Sequence, residues 1–417
     1  MKRLKNYINN REFAKFFLMF FTGTLLAQIF TLAISPLLTR IYTPADFGVY
    51  GVYTSVIAVL IVFVTGRYEF AMNSAKEEED AISVYKIVNY FSVFSSGFIF
   101  IVLLLLGDSI IETFNLEISK SLLYFIPFTL LILGYLQSST YFLNRHKNFA
   151  VLSKSKIYLS LTNGSVSISA GLLGFGVVGL IMANIIAVFI SQLYQRIKGI
   201  RKKIFKPESS KIKYNLKKYK QYPLYNAPSA FFDNLALQAP VFILLLFFSE
   251  AIVGFYSLTV RVIGMPLGLI GTSISQVFLS QVSERHRNNQ SYRGIIIKTS
   301  KYLALVGLVP LIIVLFFGPS LFAWFFGEKW HVAGEFTRIL IFGYYFKFVV
   351  SPLSMVFFIN QQVKLLSIIQ TTRAFTTAIV LLVCASNFSV STVLTAFTIH
   401  EVIFYLIYYY YILKTSK

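Results

Sequence analysis

The chain has 417 residues, 56% of them hydrophobic and only 13% charged, with a formal net charge of +21. Soluble domains carry roughly 25% charged residues, and the apolar residues here fall in runs of membrane-spanning length, which excludes a water-soluble globular fold. The single cysteine (Cys384) excludes a disulfide framework and a cysteine-based metal cluster, and the four histidines are scattered, with His400-Glu401 lacking the second histidine of a zinc-protease motif.

The N-terminal stretch, Met1 to Lys15, is basic and precedes an apolar run over 16–38. That run is long for a signal peptide and ends in Ser-Pro-Leu-Leu-Thr-Arg without a small-x-small cleavage site, so it reads as an uncleaved first helix. Crossing ~30 Å of hydrocarbon takes ~20 residues at 1.5 Å each, and a backbone in lipid must satisfy its own hydrogen bonds. Helical spans are therefore predicted over 16–38, 47–70, 84–106, 121–143, 157–174 and 177–195, and, after a polar break, over 223–248, 252–279, 302–326, 337–359, 363–385 and 391–413. Gly171, Gly174, Gly176 and Gly179 blur the turn between the fifth and sixth spans, which makes the count of twelve its softest point.

The connections 39–46, 107–120, 175–176, 249–251, 327–336 and 386–390 hold only Arg40, Lys120 and Lys329, with Arg338 at a helix start. Most of the 38 lysines and arginines lie in the alternate connections and at the two termini. That is the positive-inside pattern, and it predicts a multi-pass protein with both termini in the cytoplasm. Basic residues dispersed this way, with no aromatic-interleaved stripe on a polar scaffold, also exclude nucleic acid as a partner.

The largest basic connection, 196–222, has Arg196, Lys198, Arg201, Lys202, Lys203, Lys206, Lys211, Lys213, Lys217, Lys218 and Lys220. It reads first as a topology determinant lying against anionic lipid headgroups, and second as a capture site for a phosphorylated lipid. It divides the chain into an N-lobe (1–195), a basic linker (196–222) and a C-lobe (223–417). Pro36 with Phe47-Gly48-Val49-Tyr50 resembles Pro240 with Val253-Gly254-Phe255-Tyr256. Leu106-Gly107-Asp108 resembles Phe326-Gly327-Glu328, and Phe142-Leu143-Asn144 resembles Phe358-Ile359-Asn360. Their common order predicts a duplicated six-helix unit in parallel orientation, an arrangement in which transporters bind substrate between halves.

Charge inside hydrocarbon costs at least ~2.5–3.5 kcal/mol near a helix centre and marks function by default. The charged positions are Arg67 and Glu69 at the cytoplasmic end of the second span, Asp233, Arg261, Lys347, Arg373 and Glu401. Arg67 and Glu69 are close enough to an interface to snorkel. Arg261 and Arg373 are ~15 Å from either surface. Lys347 either neutralises Glu401 or serves a solvated cavity. A surplus of cations suits an anion, and the planar fork of arginine matches phosphate oxygens. Arg261, Arg373, Lys347 and Arg67 are thus the predicted substrate cations. No phosphate-binding loop of the nucleotide-hydrolysing type is present, so transport would run on a gradient. Asp233-Asn234, between Pro228 and Pro240, and Glu401 are the positions for a coupling Na⁺ or H⁺. No metal or other cofactor is expected. Gly264-x-x-x-Gly268, with Gly271 beyond, reads as a close helix contact.

Ser35-Pro-Leu-Leu-Thr-Arg-Ile-Tyr-Thr-Pro-Ala-Asp-Phe-Gly-Val-Tyr50 and Gly66-Arg-Tyr-Glu-Phe-Ala71 resemble the opening of bacterial polysaccharide-biosynthesis flippases, the O-antigen and capsule exporters. Tyr222-Pro-Leu-Tyr-Asn-Ala-Pro-Ser229 and Gly254-Phe-Tyr-Ser-Leu-Thr-Val-Arg-Val-Ile-Gly-Met-Pro-Leu267 resemble that family's seventh and eighth helices. The resemblance implies the all-α fold of the multidrug/oligosaccharidyl-lipid/polysaccharide exporter superfamily, two pseudo-symmetric six-helix lobes around a central cavity in the bacterial inner membrane. It implies as cargo an undecaprenyl-pyrophosphate-linked oligosaccharide moved from the cytoplasmic to the periplasmic leaflet. Membrane lipids, a polysaccharide polymerase and a chain-length regulator are the implied partners. It maps the flippases' eighth-helix arginine onto Arg261 and their cationic second helix onto Arg67. The peptidoglycan-precursor branch carries two additional helices, which this chain lacks. The alternatives are a cation-coupled multidrug exporter of the same fold, which would want an acidic cavity, and a polytopic enzyme. An enzyme would want a periplasmic segment longer than Gly107–Lys120.

Overall fold

The computed structural model describes residues 2–75, 77–113, 120–200, 209–288, 290–360 and 362–416; part of the basic linker (201–208) and part of the segment 107–120 (114–119) lie outside them. Every regular element among the described residues is helical. The helices are α1 (Lys2–Ile41), α2 (Pro44–Thr65), the single-turn α3 (Ala71–Ser74), α4 (Glu78–Thr113), the short α5 (Lys120–Leu123), α6 (Phe125–Arg145), α7 (Phe149–Leu172) and α8 (Gly176–Gln195). The linker contains α9 (Ser209–Lys218). Then come α10 (Ala227–Phe247), α11 (Glu250–Arg287), α12 (Arg293–Phe326), α13 (His331–Val350), the short α14 (Met355–Ile359), α15 (Val363–Ala385) and α16 (Val390–Thr415).

Eleven stretches among the described residues are long and apolar enough to cross a membrane, so the protein is a polytopic membrane protein. The difference from the expected twelve is α7, a 24-residue helix with Lys154, Lys156 and a run of serines. Several of its polar groups are spent on its neighbours. Ser160 Oγ lies 2.8 Å from Thr31 Oγ1 and 2.8 Å from the Ala27 carbonyl of α1, and Gln195 Nε2 of α8 donates to Ser155 Oγ at 2.9 Å. Inter-helical hydrogen bonds of this kind lower a helix's hydropathy without exposing polar groups to lipid.

The chain divides into two compact units. One comprises Met1–Tyr42 with Tyr53–Asn234, and the other Thr43–Val52 with Leu235–Lys417. In the first, Tyr68, Met72, Val84, Val88, Phe142, Leu143 and Leu152 form a buried core. The linker helix α9 docks onto it. Ile212, Leu216 and Tyr219, one helical face, pack there. The carboxylate of Asp80 accepts from Asn215 Nδ2 at 3.1 Å and Lys218 Nζ at 2.9 Å, and Lys211 pairs with Glu77 and Glu79. These partners hold the Lys211 and Lys218 ammonium groups above the usual lysine range. The amphipathic character of α9 thus serves a protein surface, while Lys213, Lys217 and Lys220 stay exposed.

In the second unit the first turns of α2 meet the first turns of α11. Both helices begin on a hydroxyl cap. Thr43 exchanges hydrogen bonds with Asp46 in a capping box, and Ser249 Oγ accepts from the Ile252 amide at 3.4 Å. A side chain on Gly48 would overlap the Glu250 carbonyl, and one on Gly254 would overlap the Pro44 carbonyl. Pro44/Glu250 and Gly48/Gly254 are both 206 positions apart, as are Gly51 and Ser257, which abut directly. The contact is therefore reciprocal, as an isologous interface is. Trp330, fully buried, closes it with its ring 5.0 Å from Phe47 and 5.8 Å from Phe255.

Candidate functional site

The second unit holds a cavity of about 310 Å³ between α11 and α13. Gly264, Gly268, Gly271 and Ser275 recur at helical spacing and form the α11 wall. The expected close helix contact at these glycines is not made. An added Cβ on Gly268 meets nothing within 4 Å, and those on Gly264 and Gly271 reach only Tyr344 at 3.7 Å and Pro352 at 3.6 Å. Here the missing side chains open space, whereas at Gly48 and Gly254 they permit contact. Arg261 lies seven residues, two helical turns, before Gly268, so it occupies the same face. It is half-buried, and it makes no hydrogen bond or ion pair among the described residues.

Across the cavity, Lys347 projects beside Tyr344, its Nζ 5.5 Å from the ring centroid. Lys347 is not the counter-ion of Glu401. That role falls to Arg373, whose Nε and Nη2 donate to the two carboxylate oxygens at 3.0 and 2.6 Å. The guanidinium also lies over Phe404 and Tyr405, 5.0 and 5.3 Å from their centroids. Next to this fork His400 Nε2 meets Thr376 Oγ1 at 2.8 Å, and its Nδ1 is 3.7 Å from Glu401. Arg373 and Glu401 therefore neutralise each other, and Lys347 has no carboxylate within ion-pair distance among the described residues.

In the first unit, Gly66 and Arg67 both adopt positive φ (56° and 58°) and end α2 abruptly. Positive φ is uncommon for a residue with a side chain. The turn brings the Arg67 guanidinium to 5.0 Å over Phe70 and Nη1 to 4.0 Å from Glu69 Oε1. Glu69 is 1% exposed and so does not snorkel, and its Oε2, like Arg67 Nε, has no hydrogen-bond partner among the described residues. Asp233 is exposed on α10 and Asn234 half-buried beside it. Contrary to the interrupted helix expected there, α10 is continuous from Ala227 to Phe247. Pro228 sits in its first turn, where it is tolerated, and only Pro240 is internal.

Lys156 lies one residue before the span predicted over 157–174 and so falls outside the intramembrane charges read from the sequence. Its Nζ donates to Thr24 Oγ1 of α1 at 3.0 Å. Tyr344 was missed because nothing in a tyrosine-rich chain distinguishes a cavity tyrosine from a lipid-facing one. Among the described residues no three His, Cys, Asp or Glu side chains converge as a metal site requires.

Residues 37–335 match the model of a family described as polysaccharide biosynthesis protein. A search of curated proteins finds no match. Among solved structures, the lipid II flippase MurJ in an inward closed conformation is similar over 95% of this chain and 87% of its own, at TM-score 0.75 and 15% identity. An inward-facing multidrug resistance MATE family transporter of the MOP superfamily is similar over 94% of this chain and 93% of its own, at TM-score 0.65 and 15% identity. A MOP superfamily transporter from Pyrococcus furiosus Vc1, described as having a binding pocket of reversed polarity, matches at TM-score 0.58 and 16% identity, over 95% of this chain and 93% of its own. At these identities the likeness is one of fold.

Proposed function

The chain belongs to the polysaccharide biosynthesis protein family, and from that premise we propose that it is a flippase for undecaprenyl-pyrophosphate-linked oligosaccharides. It moves repeat units of an O-antigen or capsule from the cytoplasmic to the periplasmic leaflet of the bacterial inner membrane by alternating access. Both termini are cytoplasmic, and twelve helices span the bilayer in two lobes joined by the basic linker. A polysaccharide polymerase and a chain-length regulator are its partners.

The observation that carries this reading is Arg261. It is an arginine within an apolar span, on the open glycine face of α11, without a counter-ion among the described residues. An uncompensated guanidinium in that setting calls for an anionic ligand, and the pyrophosphate supplies oxygens in the geometry its fork prefers. Arg67, in the first unit, remains a candidate substrate cation, only loosely held by Glu69. Arg373 is removed from the substrate set by its bidentate bond to Glu401, and the same bond removes Glu401 from the coupling-ion set. Asp233, with Asn234, is left as the coupling position.

Deletion of the gene should abolish surface polysaccharide and accumulate lipid-linked repeat units facing the cytoplasm. Arg261→Ala should insert normally yet lose roughly 10- to 100-fold in transport, the weight of one charge-assisted contact. Normal polymer in the deletion strain, without a substituting paralogue, would falsify the reading. Full complementation by Arg261→Ala would take Arg261 out of the site. A cation-coupled multidrug exporter shares the fold, but the unpaired charges here are basic. Drug susceptibility unchanged by the deletion would count against that alternative.

A further inference from the structure

The cavity between α11 and α13 presents one free positive charge and several unused hydroxyls. The Lys347 ammonium has no carboxylate partner, and the hydroxyls of Ser275, Ser351 and Tyr344 make no hydrogen bond among the described residues. Phe348 adds an apolar wall, and Gly268 leaves the floor open. At about 310 Å³ it stands at the small end of ligand pockets, room for a ring and its substituents and not for a repeat unit. Neither Arg261 nor Arg373 lines it, and Arg373 is committed to Glu401 through both carboxylate oxygens.

We infer that this cavity is a subsite for a single carboxylate-bearing sugar ring, a uronic acid type residue of the transported oligosaccharide. Lys347 pairs with the carboxylate. The ring lies against Tyr344, whose face already attracts the ammonium, and the serine hydroxyls meet the sugar hydroxyls. The identification follows from charge count and lining. A pyrophosphate carries more than one negative charge and is held best by several cations or an arginine fork. Lys347 is a lone point charge matched to a monoanion. The hydroxyl and aromatic walls match a polyol ring with apolar C–H faces. A neutral sugar would leave the ammonium unpaired, so the cavity selects for acid. The inference rests on the flippase reading for the source of the sugar.

The test uses the full-length protein in lipid nanodiscs and a pair of probes differing only at the acid group, methyl glucuronoside and methyl glucoside, with binding read by saturation-transfer NMR. Inorganic pyrophosphate is titrated as a separate arm. The wild type should prefer the glucuronoside by at least about tenfold, the equivalent of one charged hydrogen bond. Lys347→Met should abolish that preference. Gly268→Leu should abolish binding of both sugars by filling the cavity, since an added Cβ there meets no heavy atom within 4 Å and the longer side chain extends into the space beyond; a melting temperature close to the wild type checks that the fold is kept. Pyrophosphate binding should survive both substitutions and fall in Arg261→Ala. Equal binding of the two glycosides overturns the subsite, as does a preference that persists in Lys347→Met. Loss of pyrophosphate binding in Lys347→Met also overturns it, since Lys347 would then belong to the headgroup. Pyrophosphate binding untouched by Arg261→Ala, beside an intact glucuronoside preference, supports the subsite and faults only the headgroup assignment.

Discussion

Arg373 and Glu401 illustrate what a charge pair does within an apolar span. Both side chains are largely buried, 17% and 8% exposed, and each would be severely unfavourable alone. Their two-pronged bond and the aromatic faces under the guanidinium offset that desolvation. Removing one partner leaves an uncompensated buried charge, so Glu401→Leu or Arg373→Met should destabilise the protein by roughly 3–5 kcal/mol. The double variant should be less destabilised than either single one, and thermal melting in detergent reads the difference as a double-mutant cycle. If the double variant is worse than both, the pair does not act as a unit. The charged positions were legible in the sequence as departures from hydropathy, but their partnership was not. Lys347 and Arg373 were equally available to Glu401 on composition. One signal was present. Arg373 lies twelve residues before the end of α15 and Glu401 eleven after the start of α16, so the hairpin places them at matching depth. No comparable rule exposes the unpartnered Lys347, because a cavity is defined by what neighbouring helices leave unfilled.

At the level of elements, glycine means two different things in adjacent stretches of α11. At Gly254 the absent side chain lets the Pro44 carbonyl approach, and Gly48 does the same for Glu250. Alanine at either position must push α2 and α11 apart, a clash that typically costs 1–3 kcal/mol. Gly254→Ala and Gly48→Ala should therefore lower the melting temperature or the yield of folded protein. Gly268→Ala should not, and with its gain in helix propensity of ~1 kcal/mol it should be neutral or stabilising. Equal effects at the three sites would contradict this division. The repeat Phe47-Gly48-Val49-Tyr50 and Val253-Gly254-Phe255-Tyr256 was visible in the sequence, but that its two copies meet reciprocally is a tertiary fact that neither segment encodes alone. The GxxxG reading failed for the complementary reason, since spacing identifies a small-residue face and not what faces it. The linker helix α9 gives a second test. Asp80→Ala removes the acceptor shared by Asn215 and Lys218, each contact worth ~1–3 kcal/mol. Trypsin cleavage at the α9 lysines should accelerate about tenfold or more, as local opening becomes more frequent. Unchanged cleavage would show that the apolar face alone holds the helix.

For the whole molecule, the membrane class was legible from composition, because only a lipid solvent tolerates so little charge over so long a chain. Helix lengths were less so. α4 runs from Glu78 to Thr113 although hydropathy marks only 84–106, since a helix can continue into water with polar residues that hydropathy does not register. The number of crossings depends on α7 alone. Eleven spans would put the two termini on opposite sides of the membrane. Yet Lys2, Arg3, Lys5, Arg11 and Lys15 at one end and Lys414 and Lys417 at the other both carry the cytoplasmic signature. If α7 crosses, the parity is even and the conflict disappears. Its length, 24 residues or ~36 Å at 1.5 Å per residue, suffices. Ser160 is answered by α1 and Ser155 by α8, and Tyr42 donates to the Ser167 carbonyl at 2.6 Å. Lys154, exposed within the first six residues of α7, is close enough to that end to reach headgroups, and Lys156 donates to Thr24 Oγ1 of α1. An alkaline phosphatase domain fused at Gly174, in the turn between α7 and α8, should therefore be active. Fusions after Lys218 and after Ser416 should be inactive. An inactive fusion at Gly174 with an active one after Ser416 would reduce the count to eleven and move the C-terminus across the membrane.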